Sequence, residues 1–151
     1  MKKIFAVYLV LLLGLIAFVI VVAGAGWKYY MDAPSAAIIL LAMFLISGAS
    51  YGVSGAASAF KAPFMENAGS KALRHSRNFF NMLRRTLWLT AVIGFVIGNI
   101  AMLTIIDTVG GDAKGVALAS LVLFYALIVD LALITPFLFG IEKKLIDLEN
   151  E

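Results

Sequence analysis

Four stretches of this chain run for membrane-spanning length almost without charge: Ile4–Ala25, Ala33–Phe60, Thr86–Ile106 and Gly115–Ile141. A helix needs roughly 20 apolar residues to cross the bilayer core. Inside that core only helices and closed barrels satisfy their own backbone polar groups. Runs of this length predict an all-α integral membrane protein with four transmembrane helices in a single domain. The spans take up most of the 151 residues, of which 63% are hydrophobic, and the mean hydropathy is +1.02. No room is left for a soluble catalytic domain. The lack of cysteine excludes disulfides and thiolate chemistry. One histidine, His75, argues against a multi-histidine metal site. We therefore expect no enzymatic constellation, no cofactor and no metal.

The basic residues divide unevenly. Lys2, Lys3, Lys61, Lys71, Arg74, Arg77, Arg84, Arg85, Lys143 and Lys144 lie at the termini and in the middle, whereas the other two connections carry only Lys28 and Lys114. The positive-inside rule then puts both termini and the central loop, Lys61–Arg85, in the cytoplasm. Such a loop is read as a topology signal with anionic-lipid contact, and no nucleic-acid partner is expected.

At the start of the chain, Ala23-Gly24-Ala25 could end a signal peptide. The apolar run before it exceeds the usual 7–15 residues, so a retained first span is expected. Trp27, Tyr29 and Tyr30 suit an interfacial aromatic belt. Asp32-Ala33-Pro34-Ser35 spells a helix start. Along the second span Gly48, Gly52 and Ala56 recur every four residues, beside a stripe of Ser47, Ser50, Ser54 and Ser58. This pattern predicts a helix–helix packing face with serines bonding across it, or else a hydrated path along the serines. The loop reads as helical from Ser70 to Arg85. Leu73, Phe80 and Leu83 would lie on membrane or a neighbouring subunit, with the arginines at headgroup level; His75 reads as a solvated surface residue. Gly94 and Gly98 give the third span its own packing face, and Asn99 needs a partner at mid-depth. Asp107–Gly115 makes a short outer turn with solvated Asp112 and Lys114, so the third and fourth spans form an antiparallel pair.

Asp130 interrupts the fourth span. A carboxylate at a helix centre costs about 2.5–3.5 kcal/mol on insertion scales. Counted from the turn, it falls level with Thr90 and Val92, and Asn99 falls level with Leu123. Pro136 kinks or ends the helix. Asp130, Thr90, Asn99 and Ser120 are the polar groups available to an ion path. Asp130 is either a proton-handling group or a carboxyl that fixes helix packing.

Three stretches resemble a known family. YYMDAPSAAIIL resembles the entrance of the second span in MotA-type flagellar stator subunits. GFVIGNIAML, Gly94 to Leu103, resembles the core of their third span, and LFYALIVDLALITP, Leu123 to Pro136, resembles their fourth. The order of the three agrees. The resemblance implies the MotA/TolQ/ExbB class of ion-driven motors in the bacterial inner membrane. In that class a homopentamer encloses the helices of a single-span MotB/TolR/ExbD-like partner and passes H+ or Na+. The family's ion-path threonines fall here on Phe95, Val122 and Leu123, a proline common at the third-span entrance falls on Trp88, and the cytoplasmic domain is reduced to the short basic loop. The expected function is thus a reduced stator-like subunit, possessing proton conduction in one reading and serving as a non-conducting scaffold of the same fold in another. A small unrelated tetraspan transporter is a third reading.

Overall fold

The computed structural model describes residues 2–24, 26–65, 67–109 and 114–150, and among them there are helices and turns but no strand. Helix α1 covers Lys2–Val22, α2 Ala33–Lys61, α3 Ser70–Val109, α4 Lys114–Val129 and α5 Thr135–Glu149. A five-residue π turn, Asp130–Ile134, joins α4 to α5 without interrupting the rod. Among the described residues, three segments are long and apolar enough to cross a membrane: Trp27–Phe64, Ser70–Leu103 and Val116–Glu149. The described apolar part of α1, Val7–Val22, is shorter. Most of the apolar side chains on these rods point outward, among them Val10, Phe18, Leu40, Phe44, Val92, Ile97 and Ile100. Such a surface suits lipid as its solvent, not water.

Several boundaries differ from those read in the sequence. The basic loop helix and the third span are one helix, α3, of 40 residues, about 60 Å at 1.5 Å per residue. No proline or glycine falls between Ser70 and Ile93 to break it. Pro136 does not end the fourth rod. It occupies the first turn of α5, where a missing N–H is tolerated, and the helix runs on to Glu149. Of the expected outer turn, residues 110–113, with Asp112, lie outside the described residues, as does the side chain of Lys114.

The core sits at the basic end. Phe60, Phe79, Phe80 and Phe137 meet there from α2, α3 and α5. Phe80 stacks on Phe137 at 4.6 Å, and edge contacts of 5.1–5.7 Å join Phe60 to Phe79, Phe80 and Phe137. Leu73, Phe80 and Leu83 are buried in this cluster, not spread on a membrane surface. The two faces of the loop helix explain it: the leucines and phenylalanines turn inward, and Arg74, Arg77 and Arg85 stay outside. Ser76 Oγ, also buried, donates to the Ala59 carbonyl at 2.6 Å and ties α3 to α2.

The small residues of α2 and α3 behave differently. A Cβ on Gly98 would come within 2.9 Å of Ala119 Cβ, and one on Gly94 within 3.1 Å of Val122. These two glycines set the close approach of α3 and α4. Gly48 and Gly52 have open space where a side chain would be, so within the subunit they are not the packing face the spacing suggested. Gly52 instead breaks α2, with φ 66° and ψ 169°, a conformation that only glycine adopts readily. Two of the four serines of the stripe bond to their own helix: Ser47 to the Phe44 carbonyl and Ser58 to that of Gly55.

Replacing Phe80 by Ala is expected to cost about 3–5 kcal/mol in unfolding measurements in mild detergent. Phe139→Ala, at a site 66% exposed, should stay within about 0.5 kcal/mol. Gly98→Ala should cost about 1–3 kcal/mol by overpacking against Ala119, whereas Gly48→Ala should be neutral or stabilising in the same assay.

Candidate functional site

The carboxylate read in the fourth span is fully engaged by its own chain. Arg84 Nε donates to Asp130 Oδ1 at 2.8 Å, and Trp88 Nε1 donates to Oδ2 at 2.9 Å. Thr135 Oγ1 lies 3.3 Å from Oδ1 and accepts from the Arg84 guanidinium at 2.6 Å. The Asp130 side chain is 13% exposed and that of Arg84 39%. Arginine and the indole N–H can only donate, so both carboxylate oxygens serve as acceptors in a closed network. Arg84 and Trp88 stand four residues apart, on one face of α3. Asp130 and Thr135 are brought to the same side by the π turn, whose wider winding lets residues five apart share a face.

The register explains why Asp130 meets Arg84 and Trp88 and not Thr90 and Val92. Gly94 seats on Val122 and Gly98 on Ala119. This sets α4 about one turn nearer the basic end of α3 than a count from the middle of the turn predicts. Asn99 is correspondingly not opposite Leu123. The carboxylate therefore stands at the charged edge of α3's apolar run, beside an arginine that the sequence placed at headgroup level. Asp130 thus faces α3.

The π turn creates a second need. The Thr135 N–H bonds to the Asp130 carbonyl, and Pro136 has no N–H to give. The Leu131 carbonyl thereby loses both of its possible helical donors. Tyr8 Oη supplies one from α1 at 3.0 Å. This bond and the contact of Phe5 with Phe137 at 5.7 Å hold α1 against the turn. The π turn at the end of α4 and the anchoring of the first helix are thus one arrangement.

A separate polar lock closes the other end. Tyr125 Oη donates to the Tyr30 carbonyl at 2.6 Å and accepts from the Asp32 N–H at 2.7 Å. Asp32 Oδ2 caps α2 by accepting from the Ser35 N–H at 3.0 Å, as the Asp-Ala-Pro-Ser spelling predicts.

The remaining sequence candidates are scattered. Asn99 Nδ2 donates to the Phe95 carbonyl of its own helix at 2.8 Å, and Ser120 Oγ to that of Val116 at 2.8 Å. Thr90 lines a shallow groove with Ser35, Ile38 and Gly94. Val122 borders the same groove and is itself buried against Gly94, whereas Phe95 and Leu123 are half-buried. His75 is exposed, edge-on to the Tyr51 ring at 5.3 Å. Sequence reasoning missed Arg84, Trp88, Tyr8 and Thr135. The available signal was an arginine pair, Arg84-Arg85, followed within a turn by a tryptophan at the edge of an apolar run. Compared with protein-family models, curated proteins and solved structures, the chain matches none.

Breaking a buried ion pair from one side costs about 3–5 kcal/mol. Because Arg84 is partly open to solvent, Arg84→Met is expected at the lower end of that range. Asp130→Asn should also destabilise, since its amide N–H2 would face either the Arg84 or the Trp88 donor. Arg84→Met with Asp130→Leu should lose less than the two single changes summed, by about 1–3 kcal/mol in a double-mutant cycle. Strict additivity would show that the pair carries no coupling.

Proposed function

We propose that this protein is a non-conducting membrane scaffold subunit with a stator-like arrangement of helices, several copies of which surround the transmembrane helix of a partner. The observation that carries the reading is the closed network on Asp130: an ion-relaying carboxylate needs a free oxygen facing a path, and both oxygens here are taken by donors of the same chain. Of the other polar candidates, Asn99 and Ser120 bond within their own helices, and Thr90 lines the groove beside Ser35, apart from the Asp130 network. The resemblance of three stretches to MotA-type spans supports the arrangement in a ring. The open small-residue side of α2 at Gly48 and Gly52 supports a role in receiving another helix. The short basic loop, packed into the subunit's own core through Leu73, Phe80 and Leu83, leaves no separate domain to engage a rotor.

The test is proton flux into vesicles containing the protein, alone and together with a co-purifying single-span partner, alongside subunit counting by native mass spectrometry. The scaffold reading predicts an oligomer, five copies in the stator-like case, with flux at the level of protein-free vesicles. Flux that requires the partner and disappears in Asp130→Asn, with assembly intact, would replace this reading with the conducting one.

A further inference from the structure

A cleft of about 210 Å³ opens between α1 and α5 at the basic end. Its walls are Phe5, Tyr8, Phe64, Phe137 and Phe139, and Lys143 stands at its mouth. We propose that, given a membrane setting, this cleft holds one acyl chain of an anionic phospholipid whose phosphate is met by Lys143. The cleft is smaller than the roughly 300–1,000 Å³ of pockets that enclose a drug-sized ligand, and a single hydrocarbon chain suits it better than a compact molecule. The walls offer ring carbon; the Tyr8 hydroxyl is turned away onto the Leu131 carbonyl. Phe139, on the lip, is 66% exposed.

The charge at the mouth selects the headgroup. Among the described residues, three cations of α3 and α5 at this end are engaged: Arg74 pairs with Glu149, Arg77 with Glu142, and Lys144 Nζ donates to the Met65 carbonyl at 2.6 Å; Lys61, Lys71 and Arg85 do not line the cleft. Lys143 has no such partner, and the carboxylate beside it in the chain, Glu142, is taken by Arg77 on the neighbouring groove. Lys143 also follows Phe139 by four residues, one turn further toward the basic end on the same face. Chain below and ammonium above the lip is the order in which a lipid presents its tail and its phosphate.

The experiment uses the full chain, delipidated in mild detergent and titrated with dioleoyl phosphatidylglycerol or dioleoyl phosphatidylcholine under native mass spectrometry. One phosphatidylglycerol should be held per chain, more tightly than phosphatidylcholine. Lys143→Gln should weaken phosphatidylglycerol about fivefold, the factor corresponding to about 1 kcal/mol per lysine at a lipid surface, and abolish the preference. Arg74→Gln, on the other groove, should leave it unchanged. Gly140→Leu, which fills the cleft, should weaken both lipids; if that variant does not fold, the Lys143→Gln comparison decides alone. Equal retention of the two lipids, a preference that survives Lys143→Gln, or full competition by inorganic phosphate would overturn the proposal.

Discussion

A carboxylate inside an apolar helix needs donors in place of the water it gives up, and much of this molecule follows from how Asp130 obtains them. An isolated ionised group in such surroundings is penalised by several kcal/mol. Arg84 and Trp88 supply the donors from α3, and Thr135 completes the network from beyond the π turn. Bringing Thr135 round requires the wider winding, and that winding, next to Pro136, strips the Leu131 carbonyl of its helical donors. Tyr8 then has to come from α1 to serve it. A single side chain thus ties together three of the four rods at one level.

Packing at either end of this level is of two kinds. Toward the basic end, phenylalanines from α2, α3 and α5 interlock. Toward the other end, small residues replace bulk: Gly94 and Gly98 admit Val122 and Ala119. Lipid supplies no hydrophobic drive between helices, so close backbone approach and dispersion contacts must do that work. The aromatic cluster lies beside arginines and lysines, where the chain leaves the apolar spans and burial of rings is again favoured by water.

What the sequence made legible was the class of element and its approximate limits. Uncharged length announced the rods, the Asp32 cap announced the start of α2, and the four-residue spacing of Gly94 and Gly98 pointed to a close contact. Register was not legible, because it is fixed by which small residue meets which neighbour, and apolar strings allow several choices one turn apart. That shift separated Thr90 and Val92 from Arg84 and Trp88 as the neighbours of Asp130. The same spacing at Gly48 and Gly52 carried no packing within the subunit, since glycine recurs equally for a close approach and for a backbone break such as that at Gly52. The π turn had no sequence signature beyond Pro136, and Tyr8, 123 residues from its acceptor, could not be assigned without the fold.

The central claim is that Asp130 is held by its own chain. The most direct measurement is hydrogen–deuterium exchange of the two indole N–H groups, Trp27 and Trp88, by nitrogen-15 NMR in nanodiscs, in the native chain and in Asp130→Asn. Trp27 is 53% exposed and should exchange rapidly in both. Trp88 should exchange slowly in the native chain and lose much of its protection in Asp130→Asn. A Trp88 signal that exchanges as fast as Trp27, or whose protection is unchanged without the carboxylate, would contradict the account.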